Sequence, residues 1–216
     1  MLPVSLYDDI EIRKAKAKAK SAGARIKITC AHPLVPRGEQ NIVFGAARLL
    51  LPRMNERLGI HIHIRKRIPV GAGLGGGSTD AAATLVGLNR LFNLGMSDAR
   101  LEKLALSLGA DVPFFIRARP ARARGIGERL SPLGGLRQIW MVIIYPGFPI
   151  STAWVYKNLA RKLTKPRVNT SIAASLKSLD KLAGLLVNDL ESVTLDRYPR
   201  IRLFKLYSGR DIFKKQ

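Results

Sequence analysis

A mixed helix-and-strand chain, forming one large domain or two small ones, follows from three features of the sequence. Nearly half of its 216 residues are hydrophobic (47%), enough to bury a substantial core. An alternating segment, His61-Ile62-His63-Ile64-Arg65, is followed by a glycine-rich run and then by helix formers, giving the local order strand, loop, helix. Further on, apolar residues recur at helical spacing between clear start and stop signals.

From the N-terminus, residues 7–12 and 24–29 read as two strands of a hairpin, joined by a lysine-rich arm at 13–20 and by the turn residues Ser21-Ala22-Gly23. An amphipathic helix starts at Glu39 or Asn41, runs through Ile42, Ala46, Leu49 and Leu50, and is interrupted or ended by Pro52. After the glycine run, Leu85, Leu88, Leu91 and Phe92 share one helix face, and Asn93-Leu94-Gly95 stops that helix. Ser97 is placed to cap the next helix, with Leu101, Leu104, Ala105 and Leu108 as its buried stripe and Gly109 as its stop. Residues 139–145 read as a continuous apolar strand, broken by Pro146-Gly147-Phe148-Pro149. A second module is expected to begin near Gly134-Gly135, dividing the chain into 1–134 and 135–216. Helical stretches at 172–186 and 189–195 precede a weakly patterned tail at 207–216.

The chemistry concentrates in two segments. Pro69-Val70-Gly71-Ala72-Gly73-Leu74-Gly75-Gly76-Gly77-Ser78-Thr79 has five glycines in seven positions directly before a helix. Glycines allow positive φ and close backbone approach, and the helix start offers unpaired amides and a positive dipole end, so this is a phosphate cradle. A Walker loop is excluded because no lysine follows Gly77. A dinucleotide fold needs an acidic residue at a strand end some 20 residues on, and the candidates Asp98 and Glu102 stand in a helical pattern instead. The plainer alternative is a glycine-rich surface turn. In the second segment, Gly109-Ala110-Asp111-Val112-Pro113-Phe114-Phe115, the carboxylate of Asp111 either caps a helix or acts as a base.

Composition narrows the function classes. No apolar run approaches the roughly 20 residues of a membrane span, and no secretory signal pattern opens the chain, so a cytoplasmic protein with no membrane partner is expected. One cysteine, Cys30, rules out an internal disulfide; three scattered histidines are too few to mark a metal cluster, although His61 and His63 share one strand face on which a metal could sit. The net charge of +22 attracts polyanions generally. Nucleic acid is not favoured, because Arg117 to Arg124 has no interleaved aromatic.

Three motifs carry a resemblance: the Pro69–Thr79 loop, which continues as Asp80-Ala81-Ala82, then Leu108-Gly-Ala-Asp-Val-Pro-Phe-Phe, and Gly125-Ile-Gly-Glu-Arg-Leu. Together they resemble the GHMP kinase superfamily, and within it the kinases of non-mevalonate isoprenoid synthesis that act on a cytidine diphosphate methylerythritol. The resemblance implies an α+β fold of two domains, the first like domain 2 of ribosomal protein S5 with a left-handed crossover and the second ferredoxin-like. It implies ATP with Mg²⁺ at residues 69–79, Asp111 as catalytic base, and Thr152 and Tyr156 near the acceptor's cytidine. Read locally, Tyr156 is equally a core tyrosine. The superfamily's first-strand Lys-x-Asn and its closing Ser-Gly-Ser-Gly loop have no match beyond Ser208-Gly209, so the chain resembles a form shortened at both ends. Other GHMP kinases, acting on homoserine, mevalonate or a sugar, and a basic polyanion-binding fragment are the alternatives.

Overall fold

Three alternating isoleucines, Ile60, Ile62 and Ile64, are buried and make β3 (Leu58–Arg65) the centre of a three-stranded sheet. The structure, a computed structural model, describes residues 1–16, 25–55, 57–134, 140–159 and 188–202. The chain divides into two compact units, Met1–Val70 with Leu74–Leu133, and Gly71–Gly73 with the chain from Gly134 on.

In the first unit, β1 (Asp9–Lys16) pairs antiparallel with β3, setting Asp9 opposite Arg65, and β2 (Ile26–Cys30) pairs parallel with it, setting Ile26 opposite Ile60. The expected hairpin between the first two strands is therefore not formed, since β3 lies between them. The connection from Lys16 to Ile26 is too long for a tight turn and sets no register, so the strand richest in aliphatic side chains takes the centre and both neighbours pair with it. Of the lysine arm, 17–20 lie outside the described residues. Lys14 belongs to β1, its Nζ 5.2 Å from the centre of the Phe92 ring.

Helices α1 (Ile42–Leu50) and α2 (Gly76–Leu91) cover one face of the sheet, and Val43, Phe44, Leu50, Leu85 and Leu88 fill the layer between. Asn41 starts α1 as an N-cap: its Oδ1 accepts from the Val43 amide at 2.9 Å, and its Nδ2 donates to the Pro36 carbonyl at 2.6 Å. Beyond α2, Asn89 grips the Met96 backbone through both its amide atoms, at 2.9 and 3.0 Å, which fixes the turn into α3 (Asp98–Ala105). Ser97 stands at the N-cap of α3, but its side chain makes no cap hydrogen bond. This helix ends one turn before Gly109. Then come α4 (Val112–Arg117) and an antiparallel pair, β4 (Ala121–Arg124) and β5 (Arg129–Pro132).

In the second unit, α5 (Thr152–Asn158) and α6 (Glu191–Arg197) are described. Tyr198 joins them, its ring 5.3 Å from Phe148 and 6.5 Å from Trp154. Residues 140–145 do not form the expected strand. Trp140 is 90% exposed and Val142 68%, because an apolar run becomes a strand only where another strand supplies its hydrogen bonds, and no described strand does. The predicted helix at 172–186 and the tail at 207–216 lie outside the described residues, as does most of the expected ferredoxin-like domain. Mixed strands and helices, with helices on one face of the sheet, make the fold α+β.

Candidate active site

Three alternate glycines at the centre of the cradle take left-handed backbone: Gly71, Gly73 and Gly75 have φ of 74°, 73° and 70°. Only glycine adopts this freely, which is why the loop is spaced as it is. Gly75 is the N-cap of α2 and has no side chain to cap it, so the amides of Gly76, Gly77 and Ser78 carry no side-chain partner and are available to an anion. The Thr79 hydroxyl turns back to the Gly75 carbonyl at 3.0 Å. A Cβ on Gly71 would lie 2.5 Å from the Cβ of Pro149, and the Gly71 carbonyl accepts from Ile150 N at 3.1 Å, so Pro149-Ile150 braces the loop's first glycine. Pro69, Val70, Ala72 and Leu74 complete the loop and are half-buried.

Asp111 is the N-cap of α4, yet its carboxylate makes no cap hydrogen bond and is exposed. The capping reading thus fails for the side chain while holding for the backbone position. One turn on, Phe115 of the same helix meets the cradle: a Cβ on Gly75 would lie 2.9 Å from the ring's Cζ. Gly127, at φ 118°, lies against Asp111, with room for a Cβ only 3.5 Å from Oδ1. The three sequence motifs therefore converge in the first unit, with the glycine loop, α4 and the β4–β5 turn in contact around the start of α4. Thr152 and Tyr156, one helical turn apart on α5, share an exposed face; Tyr156 is 62% exposed, so it is no core tyrosine.

The structure adds a group that sequence reasoning gave no role. Lys66, just past β3, bonds Asp8 Oδ2 and also Asp80 Oδ2, the latter at 2.9 Å, and all three side chains are at most 5% exposed. Asp8 also accepts the amides of Arg67 and Ile68, at 2.6 and 2.9 Å. Burial pushes Asp80 up to about 7 despite Lys66, and the nearby Asp8 adds to the rise. Burial opposes charge on Asp8 as well, but its bonds from Lys66 and the two amides outweigh this and hold it below the usual carboxylate range. Burial likewise disfavours the Lys66 ammonium, and its two carboxylates outweigh that and raise it. A signal was available in the sequence: Asp80, Thr84 and Leu88 fall on one helical stripe, so Asp80 had to be buried and had to find a cation.

On the outer face of the sheet, Thr29 Oγ1 stands 3.0 Å from His61 Nε2 and 2.9 Å from His63 Nδ1. Among the described residues, no group of three His, Cys, Asp or Glu side chains could hold a metal. No helix among them is long and apolar enough to cross a membrane.

A cradle of this form feeding a helix N-terminus, with a carboxylate helix packed on it, marks the GHMP kinase class, and residues 41–119 match the model of the GHMP kinases N terminal domain. The 4-diphosphocytidyl-2-C-methyl-D-erythritol kinase of Citrifermentans bemidjiense is 47% identical over 205 residues, covering 95% of this chain and 70% of that protein. The Geobacter sulfurreducens kinase of the same name is 44% identical, over 93% of this chain and 69% of its own length. A crystal structure of 4-(cytidine 5'-diphospho)-2C-methyl-D-erythritol kinase aligns with a TM-score of 0.67 at 31% identity, over 93% of this chain and 68% of that one. The chain belongs to the 4-diphosphocytidyl-2-C-methyl-D-erythritol kinase family.

Proposed function

We propose that the protein is an ATP-dependent kinase that phosphorylates the 2-hydroxyl of 4-diphosphocytidyl-2-C-methyl-D-erythritol, in the cytoplasmic route to isoprenoids. The observation that carries the reading is the seating of α4: the helix that Asp111 begins rests through Phe115 on Gly75, the residue from which the cradle helix starts. Family membership points to the same acceptor.

Residues 1–134 serve as the ATP-binding domain and 135–216 as the second domain. The loop from Pro69 to Thr79 wraps the triphosphate, and the amides of Gly76, Gly77 and Ser78 meet its negative charge at the positive end of α2. Asp111 takes the proton of the acceptor hydroxyl as its oxygen bonds the γ-phosphorus; the bond from that phosphorus to the bridging oxygen breaks, and ADP leaves with the electron pair. Thr152 and Tyr156 take the cytidine, the tyrosine by stacking on the base. Mg²⁺ supplies charge neutralisation when bound. The Ser78 hydroxyl would be the protein's contribution to holding it, since Thr79 is engaged with Gly75.

The test is an ATP-consumption assay with the cytidine compound, homoserine, mevalonate and galactose offered separately. Turnover with the cytidine compound alone is the expected result, and preference for any other acceptor would overturn the assignment.

A further inference from the structure

Anionic side chains near a helix N-terminus normally turn toward its free amides and neutralise them. Asp80, in the second turn of α2, does the opposite. It is 3% exposed and points inward to Lys66, and its Oδ1 is buried with no hydrogen-bond partner among the described residues. Lys66 in turn packs against the helix start: a Cβ on Gly76 would lie 3.2 Å from its Nζ and 3.0 Å from Ile68 Cγ2. A lone ammonium at that place would oppose the helix dipole, but Asp8 and Asp80 on either side cancel its charge. The cluster thus ties three separate pieces of chain together beneath the cradle: the residue before β1, the residue after β3 and the second turn of α2.

Building on the kinase reading, we propose that Lys66 is a positioning residue for the triphosphate, holding the Asp80 carboxylate away from the cradle amides and clamping the first turn of α2 so that those amides face the phosphates. Without Lys66, Asp80 loses its cation and is left buried beside the Asp8 carboxylate, next to an anion site. It then either swings toward the amides, in competition with phosphate, or repels the ligand where it stands. Both outcomes weaken phosphate binding in particular and leave adenine and ribose contacts largely alone.

Calorimetric titration of the chain with MgATP, and separately with AMP, reads this directly. Lys66→Met is expected to weaken MgATP by about tenfold or more, since a charge-assisted hydrogen bond is lost and a like charge is exposed to the ligand, while AMP weakens by less than about threefold. Lys66→Arg recovers part of the loss. The triple variant Lys66→Met with Asp8→Asn and Asp80→Asn removes every charge of the cluster, so it keeps the fold where the single variant loses it, and it is expected to regain most of the MgATP affinity. Folded Lys66→Met that binds MgATP like the parent, or that loses MgATP and AMP affinity equally, overturns the inference alone. A parent chain that binds no MgATP overturns the kinase reading and this inference with it.

Discussion

Gly75 is the position where the cradle's geometry is most tightly determined, and alanine there separates two costs that the loop combines. The first is conformational: at φ 70°, any residue with a Cβ is strained by roughly 1–2 kcal/mol. The second is steric, because the new Cβ would lie 2.9 and 3.0 Å from two carbons of the Phe115 ring, so α4 or the ring must move, at about 1–3 kcal/mol. Gly73 provides the internal control. Its φ is 73°, yet no atom lies within 4 Å of an added Cβ, so Gly73→Ala carries the conformational cost alone. Urea unfolding should therefore place Gly75→Ala roughly 2–5 kcal/mol below the parent and Gly73→Ala about 1–2 kcal/mol below it. Titration with MgATP should show the larger loss for Gly75→Ala, because it displaces the helix start whose amides hold the phosphates. Equal stabilities for the two variants would show that Phe115 does not brace the loop, and the seating of α4 on the cradle would lose its support.

Other expectations follow from the same structure. Asp80 ionises near pH 7 when folded and near 3.8 when free, so the folded chain holds a proton that the unfolded chain releases, and stability declines as pH rises between those values. Asp80→Asn removes that decline; urea midpoints should show the variant gaining on the parent by up to about 3 kcal/mol between pH 5 and pH 8.5, and parallel profiles would contradict the assignment. Asp8 acts in the other direction, because its lowered value gives stability that is present above the ordinary carboxylate range and lost as pH falls through it, so Asp8→Asn should flatten only the acid limb. Asp111→Asn should cut kcat by about 10²–10⁴ with little change in MgATP affinity, measured by turnover and by titration. Asn41→Ala removes the α1 cap and its bond to the Pro36 carbonyl, and thermal unfolding should report a loss of about 1–2 kcal/mol.

Local chemistry was readable wherever a residue's own backbone preference set the outcome. The glycine spacing at 71, 73 and 75 announced left-handed backbone, the helix formers behind it announced an amide-rich helix start, and both were found. The buried faces of α2 and β3 followed from period alone, since Leu85 and Leu88, and Ile60, Ile62 and Ile64, could face only one way. Residues 140–145 show the limit of that approach: they have a strand's composition, yet they join no sheet among the described residues.

Written in the chain itself, then, are the cradle, its helix, the candidate base and the family to which they point, because each depends on neighbours a few positions apart. Folding in three dimensions settled which strand stands in the middle of the sheet, that Phe115 and Gly127 bring α4 and the β4–β5 turn to the loop, and that Lys66 balances Asp8 and Asp80. Those are pairings between residues 14 to 58 positions apart, and neither periodicity nor propensity records which distant side chain will meet a buried charge.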